Sequence, residues 1–199
     1  MCRLFETIKV QDRKLHNIGY HNERFNRSRF EIFGLMDNIT LEEAIEIPGT
    51  LAEGIYKCRV IYSDQIEKIE FEPYRQRKIK SLKLVQADAI DYTYKYLDRS
   101  EISRLFEMRN GCDDILIVKN GLITDTSFAN IVFWDGHQWK TPTKPLLNGT
   151  KRQKLLLEGK MTEAVIGPQD IFRFKKAGII NAMLDFTDDF PEIEIKNIY

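Results

Sequence analysis

The chain has 199 residues, 43% of them hydrophobic, with 30 basic and 30 acidic side chains and a formal net charge of +0. This is the composition of a soluble globular chain long enough for one large core or two small ones. The charge balance gives no electrostatic basis for nucleic acid or an anionic membrane as a partner, and no run of about 18 apolar residues offers a membrane span. The opening MCRLFETIKV lacks the apolar stretch and small-residue cleavage site of a signal peptide, so a cytoplasmic location is expected. Cys2, Cys58 and Cys112 are odd in number and lack C-x-x-C spacing. They read as reduced thiols, and no metal site is expected.

In chain order, residues 3–10 (RLFETIKV) alternate as a strand, and Gln11 to Lys14 turns it back into an opening hairpin. Tyr20, Phe25, Phe30 and Phe33 recur at helical spacing, with Gly34 as the stop. Thr40 and Glu43 form the capping-box pattern for a short helix over 41–45. GIYKCRVIYSDQIEKIEFEPY reads as a hairpin around Ser63-Asp64-Gln65, with Lys57 and Arg59 on one face and Tyr56, Cys58, Val60 and Tyr62 on the other. A first domain over 1–76, a linker over 77–88 and a second domain over 89–199 follow from the basic run Arg75 to Lys83. SLKLV within that linker is a short strand. Leu97, Ile102, Leu105, Phe106 and Met108 predict a helix from about Lys95 to Asn110-Gly111.

DDILIVKNG is an apolar strand closed by an Asn-Gly turn. It leads into GLITDTSFANIVFWDGHQWKTPTKPLLNGTKRQ, a hairpin with polar residues at Asp125, Ser127 and Asn130, followed by a loop that brings Asn148-Gly149-Thr150 to a helix start. Buried polar groups need partners, and a Gly-Thr step opening a helix offers backbone N–H groups to an anion such as phosphate. A helix over 150–159, a short helix over 168–174, a strand at GIINAMLDF and a terminal strand at EIEIKNI complete the chain. The fold class is α/β (α+β).

Taken singly, the chemistry-bearing residues have ordinary readings. Arg24 is a solvent-exposed helix cation and His21 a surface or cap residue. Lys95, among Tyr92, Tyr94 and Tyr96, packs its stem on aromatics and reaches water with its ammonium. The same desolvation suits a lysine for covalent chemistry with a carbonyl. Asp125 is a turn or strand-edge residue bonded to backbone.

Together they resemble a family. I-T-D-T-S-F-A-N-I at 123–131, W-x-T-P at 139–142 and L-L-N-G-T-K-R at 146–152 resemble the motifs of the class IV aminotransferases. F-E-T at 5–7, H-x-x-R at 21–24 and I-N-A-M at 180–183 extend the resemblance over almost the whole chain in the right order. That family comprises the fold-type IV pyridoxal-phosphate enzymes: branched-chain and D-amino-acid aminotransferases and 4-amino-4-deoxychorismate lyase. The resemblance implies a small N-terminal α/β domain and a larger C-terminal α/β pseudo-barrel that share pyridoxal 5'-phosphate, usually in a homodimer, acting on a small-molecule amino substrate.

Carried over, Lys95 becomes the lysine that bears the cofactor. Lys80 in I-K-S-L competes for that role, but K-x-L-D-R before D-D-I-L gives the family's order and favours Lys95. Asp125 stands where the family has a glutamate at the pyridine nitrogen. Arg24, Gly149, Thr150 and Lys151 are implied at the phosphate, with Asn181 and Ala182 closing the other side. Arg59 is the candidate for a substrate carboxylate. Asn181-Ala182-Met183 and K-x-L-D-R look nearest the 4-amino-4-deoxychorismate lyase branch, which makes p-aminobenzoate and pyruvate for folate. An aminotransferase on D- or branched-chain amino acids is the alternative, and an inactive cofactor-binding homologue is the alternative from another class.

Overall fold

The structure is a computed structural model that describes residues 2–187 and 190–199. Two compact units form: Met1–Gln76 with Tyr94–Asp98, and Arg77–Thr93 with Arg99–Tyr199.

The first unit is an antiparallel sheet covered by helices. Strands β1 (Leu4–Gln11), β2 (Lys14–Leu15), β3 (Ile55–Tyr62) and β4 (Ile66–Pro73) lie in the order β2-β1-β3-β4. Asp12 and Arg13, both at positive φ, make the tight β1–β2 turn. Helix α1 (Ile18–Phe33) lays Phe25 onto Leu4, Ile8, Val10, Cys58, Val60 and Tyr62, the residues that one face of β1 and β3 presents. It ends at Gly34, whose φ of 71 suits glycine and whose N–H bonds the Phe30 carbonyl. Helix α2 (Leu41–Ala44) follows Thr40.

The capping box expected at Thr40 and Glu43 is not made, since Thr40 makes no side-chain cap bond. The Asn22 side chain reaches over from α1 and accepts the Leu41 N–H at 2.9 Å instead. The helix expected from Lys95 also needs correction: α3 is Ser100–Phe106. Residues 95–97 pair along the start of β1, with Phe5 N–H donating to the Lys95 carbonyl at 3.0 Å and Leu97 N–H to the Arg3 carbonyl at 2.8 Å. An N–H spent on a neighbouring strand cannot serve a helix.

The second unit holds an eight-stranded sheet. Its strands are β5 (Leu82–Gln86), β6 (Asp114–Lys119), β7 (Leu122–Thr126), β8 (Asn130–Trp134), β9 (Trp139–Pro142), β10 (Met161–Ala164), β11 (Lys176–Ile180) and β12 (Glu192–Glu194). The order is β10-β9-β8-β7-β6-β5, with β11 paired to β8 and to β12. The β5–β6 and β10–β9 pairs are parallel. The linker expected over 77–88 therefore contains β5, whose Leu82 is fully buried. Asn120 and Gly121, both at positive φ, make the β6–β7 turn.

Helix α4 (Thr150–Leu157) opens at Gly149. The expected helix over 168–174 is a 3-10 helix, Pro168–Arg173. The expected strand GIINAMLDF stops at Ile180, because Asn181 Oδ1 accepts the Met183 N–H and turns the chain. Only 192–194 of the terminal strand pair; Ile195–Asn197 is a 3-10 turn. Leu82, Leu116, Ile131, Phe133, Ala177 and Ile179 belong to this unit's main core, and Val132, Leu155, Met161, Ile180 and Phe190 form a second cluster.

Candidate active site

In the first unit, alternation along β1 sends Glu6 to the α1 face with Leu4 and Ile8, and Phe5 to the opposite face. Glu6 has 0% exposure and meets two side chains one helical turn apart on α1. Arg24 Nε and Nη2 donate to Glu6 Oε1 and Oε2 at 2.8 and 2.5 Å, and His21 Nδ1 lies 2.6 Å from Oε2. Burial alone would raise the Glu6 carboxyl. The Arg24 charge and the hydrogen bonds from His21 and Arg24 outweigh burial and hold it at about 2. Burial pushes His21 down against the raising effect of Glu6, so the imidazole is neutral and donates its Nδ1 proton to the carboxylate. The readings of Arg24 as an exposed cation and His21 as a surface residue are corrected here, since they are 5% and 0% exposed.

On the opposite face, Lys95 Nζ lies over the Phe5 ring at 4.6 Å from its centroid, and the Arg59 guanidinium over the same ring at 5.0 Å. Lys95 and Arg59 are half-buried. One aromatic ring thus has both an amine and a guanidinium packed on it. Lys80 is exposed in the second unit, with its backbone N–H on Asp113.

In the second unit, Asp125 at the end of β7 is buried and accepts Asn130 Nδ2 on Oδ1 at 2.8 Å and Leu147 N–H on Oδ2 at 2.9 Å. Both donors are neutral. Burial pushes this carboxyl up to about 6, against the pull of Leu147, Asn130 and the Arg152 charge. Asn130 Nδ2 also donates to the Leu147 carbonyl at 2.9 Å. Its Oδ1 lies 2.2 Å from where a side chain at Gly149 would begin, so glycine opens α4 there without displacing Asn130. As N-cap, Gly149 offers no side-chain acceptor to the first turn, where Thr150, Lys151 and Arg152 are all buried. Ile180 pairs with Asn130 across β11 and β8, which sets the half-buried Asn181 and Ala182 just past the same point.

Six of the expected site residues thus fall in the second unit: Asp125, Gly149, Thr150, Lys151, Asn181 and Ala182. Arg24, Arg59 and Lys95 fall in the first. Sequence reading missed Glu6, whose signal was a charge in phase with Leu4, Ile8 and Val10. It also missed Arg152, which ties the first turn of α4 to Asn148 Oδ1 and the Pro142 carbonyl at 3.1 and 2.8 Å and to Glu163.

An uncharacterized protein of Haemophilus influenzae strain Rd is 40% identical over 185 residues, which is 92% of this chain and 98% of that protein. The crystal structure of a candidate 4-amino-4-deoxychorismate lyase from Haemophilus somnus 129PT is 33% identical with a TM-score of 0.86, covering 94% of this chain and 98% of that one. A hypothetical aminotransferase from Mycobacterium tuberculosis, in PLP-bound form, shares the fold at 19% identity and a TM-score of 0.75, covering 91% of this chain and 78% of that one. The profile of amino-transferase class IV matches residues 3–188, and the chain belongs to that family.

Proposed function

We propose that this chain is a pyridoxal 5'-phosphate enzyme that acts as a 4-amino-4-deoxychorismate lyase, releasing p-aminobenzoate and pyruvate. The observation that carries the cofactor reading is Asp125, a buried acid whose hydrogen bonds among the described residues come from neutral donors, beside a helix that opens on a glycine. A buried carboxylate of this kind is satisfied by a cationic N–H such as a protonated pyridine nitrogen. The glycine-led start of α4 suits the phosphate. The residues present therefore fit the group. The lyase reading draws on the Haemophilus somnus protein, 33% identical across nearly its whole length.

When bound, pyridoxal phosphate supplies an electron sink for bond cleavage next to the substrate amine. Asp125 would hold the proton at the ring nitrogen. Thr150 and Lys151 backbone N–H groups, with Asn181 and Ala182 opposite, would receive the phosphate, and Arg24 would add its charge. Lys95 Nζ would carry the cofactor and then move the proton at the substrate α-carbon. Arg59, stacked on the same Phe5 ring as Lys95, would take a substrate carboxylate near the reacting amine. A homodimer is part of this reading.

The test is to reconstitute the purified protein and offer it 4-amino-4-deoxychorismate and a panel of amino acids with 2-oxo acids. Release of p-aminobenzoate and pyruvate is expected. Amino transfer to a 2-oxo acid instead makes the chain an aminotransferase, and a wild type that develops no cofactor absorbance makes it an inactive homologue. Lys95→Ala should abolish the absorbance of the lysine-bound cofactor and Lys80→Ala should keep it; the reverse result moves the role to Lys80.

A further inference from the structure

Among the described residues of the second unit, Asn130 is a side chain that meets both halves of the proposed cofactor site. It is 6% exposed at the first position of β8. Its amide nitrogen spends both protons, one on Asp125 Oδ1 at 2.8 Å and one on the Leu147 carbonyl at 2.9 Å. Leu147 returns its own N–H to Asp125 Oδ2 at 2.9 Å. Three groups thereby close a ring of hydrogen bonds, in which neither carboxylate oxygen can turn without breaking one of them. The amide oxygen, held by the same bonds, points at the Gly149 α-carbon where a side chain would start.

From these contacts we infer that Asn130 is a positioning residue that ties the orientation of the Asp125 carboxylate to the placement of the helix start at Gly149. The inference rests on the pyridoxal phosphate reading and goes beyond it. Asn130 would act through Asp125 and the helix start, the groups that would meet ring and phosphate. Because its two donors and its oxygen belong to one rigid planar amide, a Gly149 backbone pressed in against that oxygen swings the donor off Asp125, and loosening Asp125 releases Leu147, two residues before the helix start. A ligand that engages both ends is then bound to one preassembled unit, while a ligand that engages only the phosphate end still feels the loss of Asn130.

The tie is tested on apo-protein with two probes, pyridoxal phosphate by absorbance and inorganic phosphate by calorimetry. Asn130→Ala should weaken both by about tenfold or more, the scale on which supporting residues act on the groups they orient. Asp125→Asn, which removes the anion and keeps at most one of the two acceptors, should weaken pyridoxal phosphate more than it weakens phosphate. Asn130→Ser, smaller and still polar, repeats the measurement should the alanine variant fold poorly. Loss of pyridoxal phosphate binding in Asn130→Ala with phosphate binding intact overturns the tie, because Asn130 would then serve Asp125 alone.

A second measurement needs no cofactor. Gly149→Ala forces a methyl group onto the Asn130 amide oxygen, so it should lower the unfolding midpoint of the wild-type background and lower it much less in the Asn130→Ala background. Additive effects in that double-mutant cycle also overturn the tie. If wild type binds no pyridoxal phosphate at all, the cofactor reading falls by itself, and the phosphate titration and the double-mutant cycle still decide the role of Asn130.

Discussion

Glu6 lies in a strand whose same-face neighbours are Leu4 and Ile8, and its carboxylate is held by Arg24 and His21 with no exposure to solvent. Removing the charge from such a group leaves a buried guanidinium without its anion, which costs far more than an exposed pair would. Glu6→Gln should therefore destabilise the protein by about 3–5 kcal/mol at pH 7, read as a drop in the urea midpoint. Its folded pKa of about 2 lies below the ordinary carboxyl value of 4.5, so the stabilisation is fully present above pH 4.5 and is lost as pH falls toward 2. Wild type and Glu6→Gln should converge near pH 2; a constant gap across that range would show that Glu6 acts through packing alone. The sequence carried half of this cluster. H-x-x-R was visible as a spacing, and Glu6 was in phase with Leu4 and Ile8, but that phase does not name its partners, which only the paired helix supplies.

At the level of elements, most strands and turns were legible because alternation and turn chemistry are local. Asn120-Gly121 and Gly34 fulfil their readings through positive φ, at 51, 75 and 71. The errors have tertiary causes. The apolar spacing from Leu97 to Met108 reads as one helix, yet the Leu97 N–H goes to the Arg3 carbonyl just ahead of β1, and this puts Lys95 on an extended edge beside Phe5 instead of on a helix. Thr40 lost its capping role to Asn22, which comes from another helix. Of the candidate site, Asp125 and Gly149 stood out as polar or glycine positions in an apolar stretch, whereas Asn130 showed as polar without its partners. Gly34 gives a clean test of the local reading. No atom crowds it, so Gly34→Ala should cost only the left-handed backbone penalty of about 1–2 kcal/mol. Thermal unfolding should fall accordingly with cofactor absorbance unchanged, and a neutral effect would mean that α1 can end without this turn.

Over the whole molecule, two buried acids pull stability in opposite directions as pH changes. Glu6 is lowered, to about 2, and with the other lowered carboxyls, such as Asp91 and Asp113, it makes stability rise as pH climbs to about 4.5. Asp125 is raised from 3.8 to about 6. Between those values the folded chain holds a proton that the unfolded chain has released, so ionisation of Asp125 removes stability as pH rises through that window. Burial pushes Asp114 up as well and adds to the same fall. The apo-protein should therefore be most stable on the acid side of neutrality, losing about 1 kcal/mol through Asp125 between pH 5 and pH 7. Both tryptophans of the chain, Trp134 and Trp139, lie in the second unit with Asp125 and pack 5.5 Å apart, so fluorescence-detected urea unfolding reports on the unit that matters. Asp125→Asn keeps every other titratable group and at most one of the two acceptors, which shifts its curve by a constant. Its midpoint should fall less steeply than that of wild type from pH 5 to pH 7. Parallel curves would show that Asp125 is ionised throughout that range, and the uncompensated acid invoked to receive a cationic ring nitrogen would then need a different explanation.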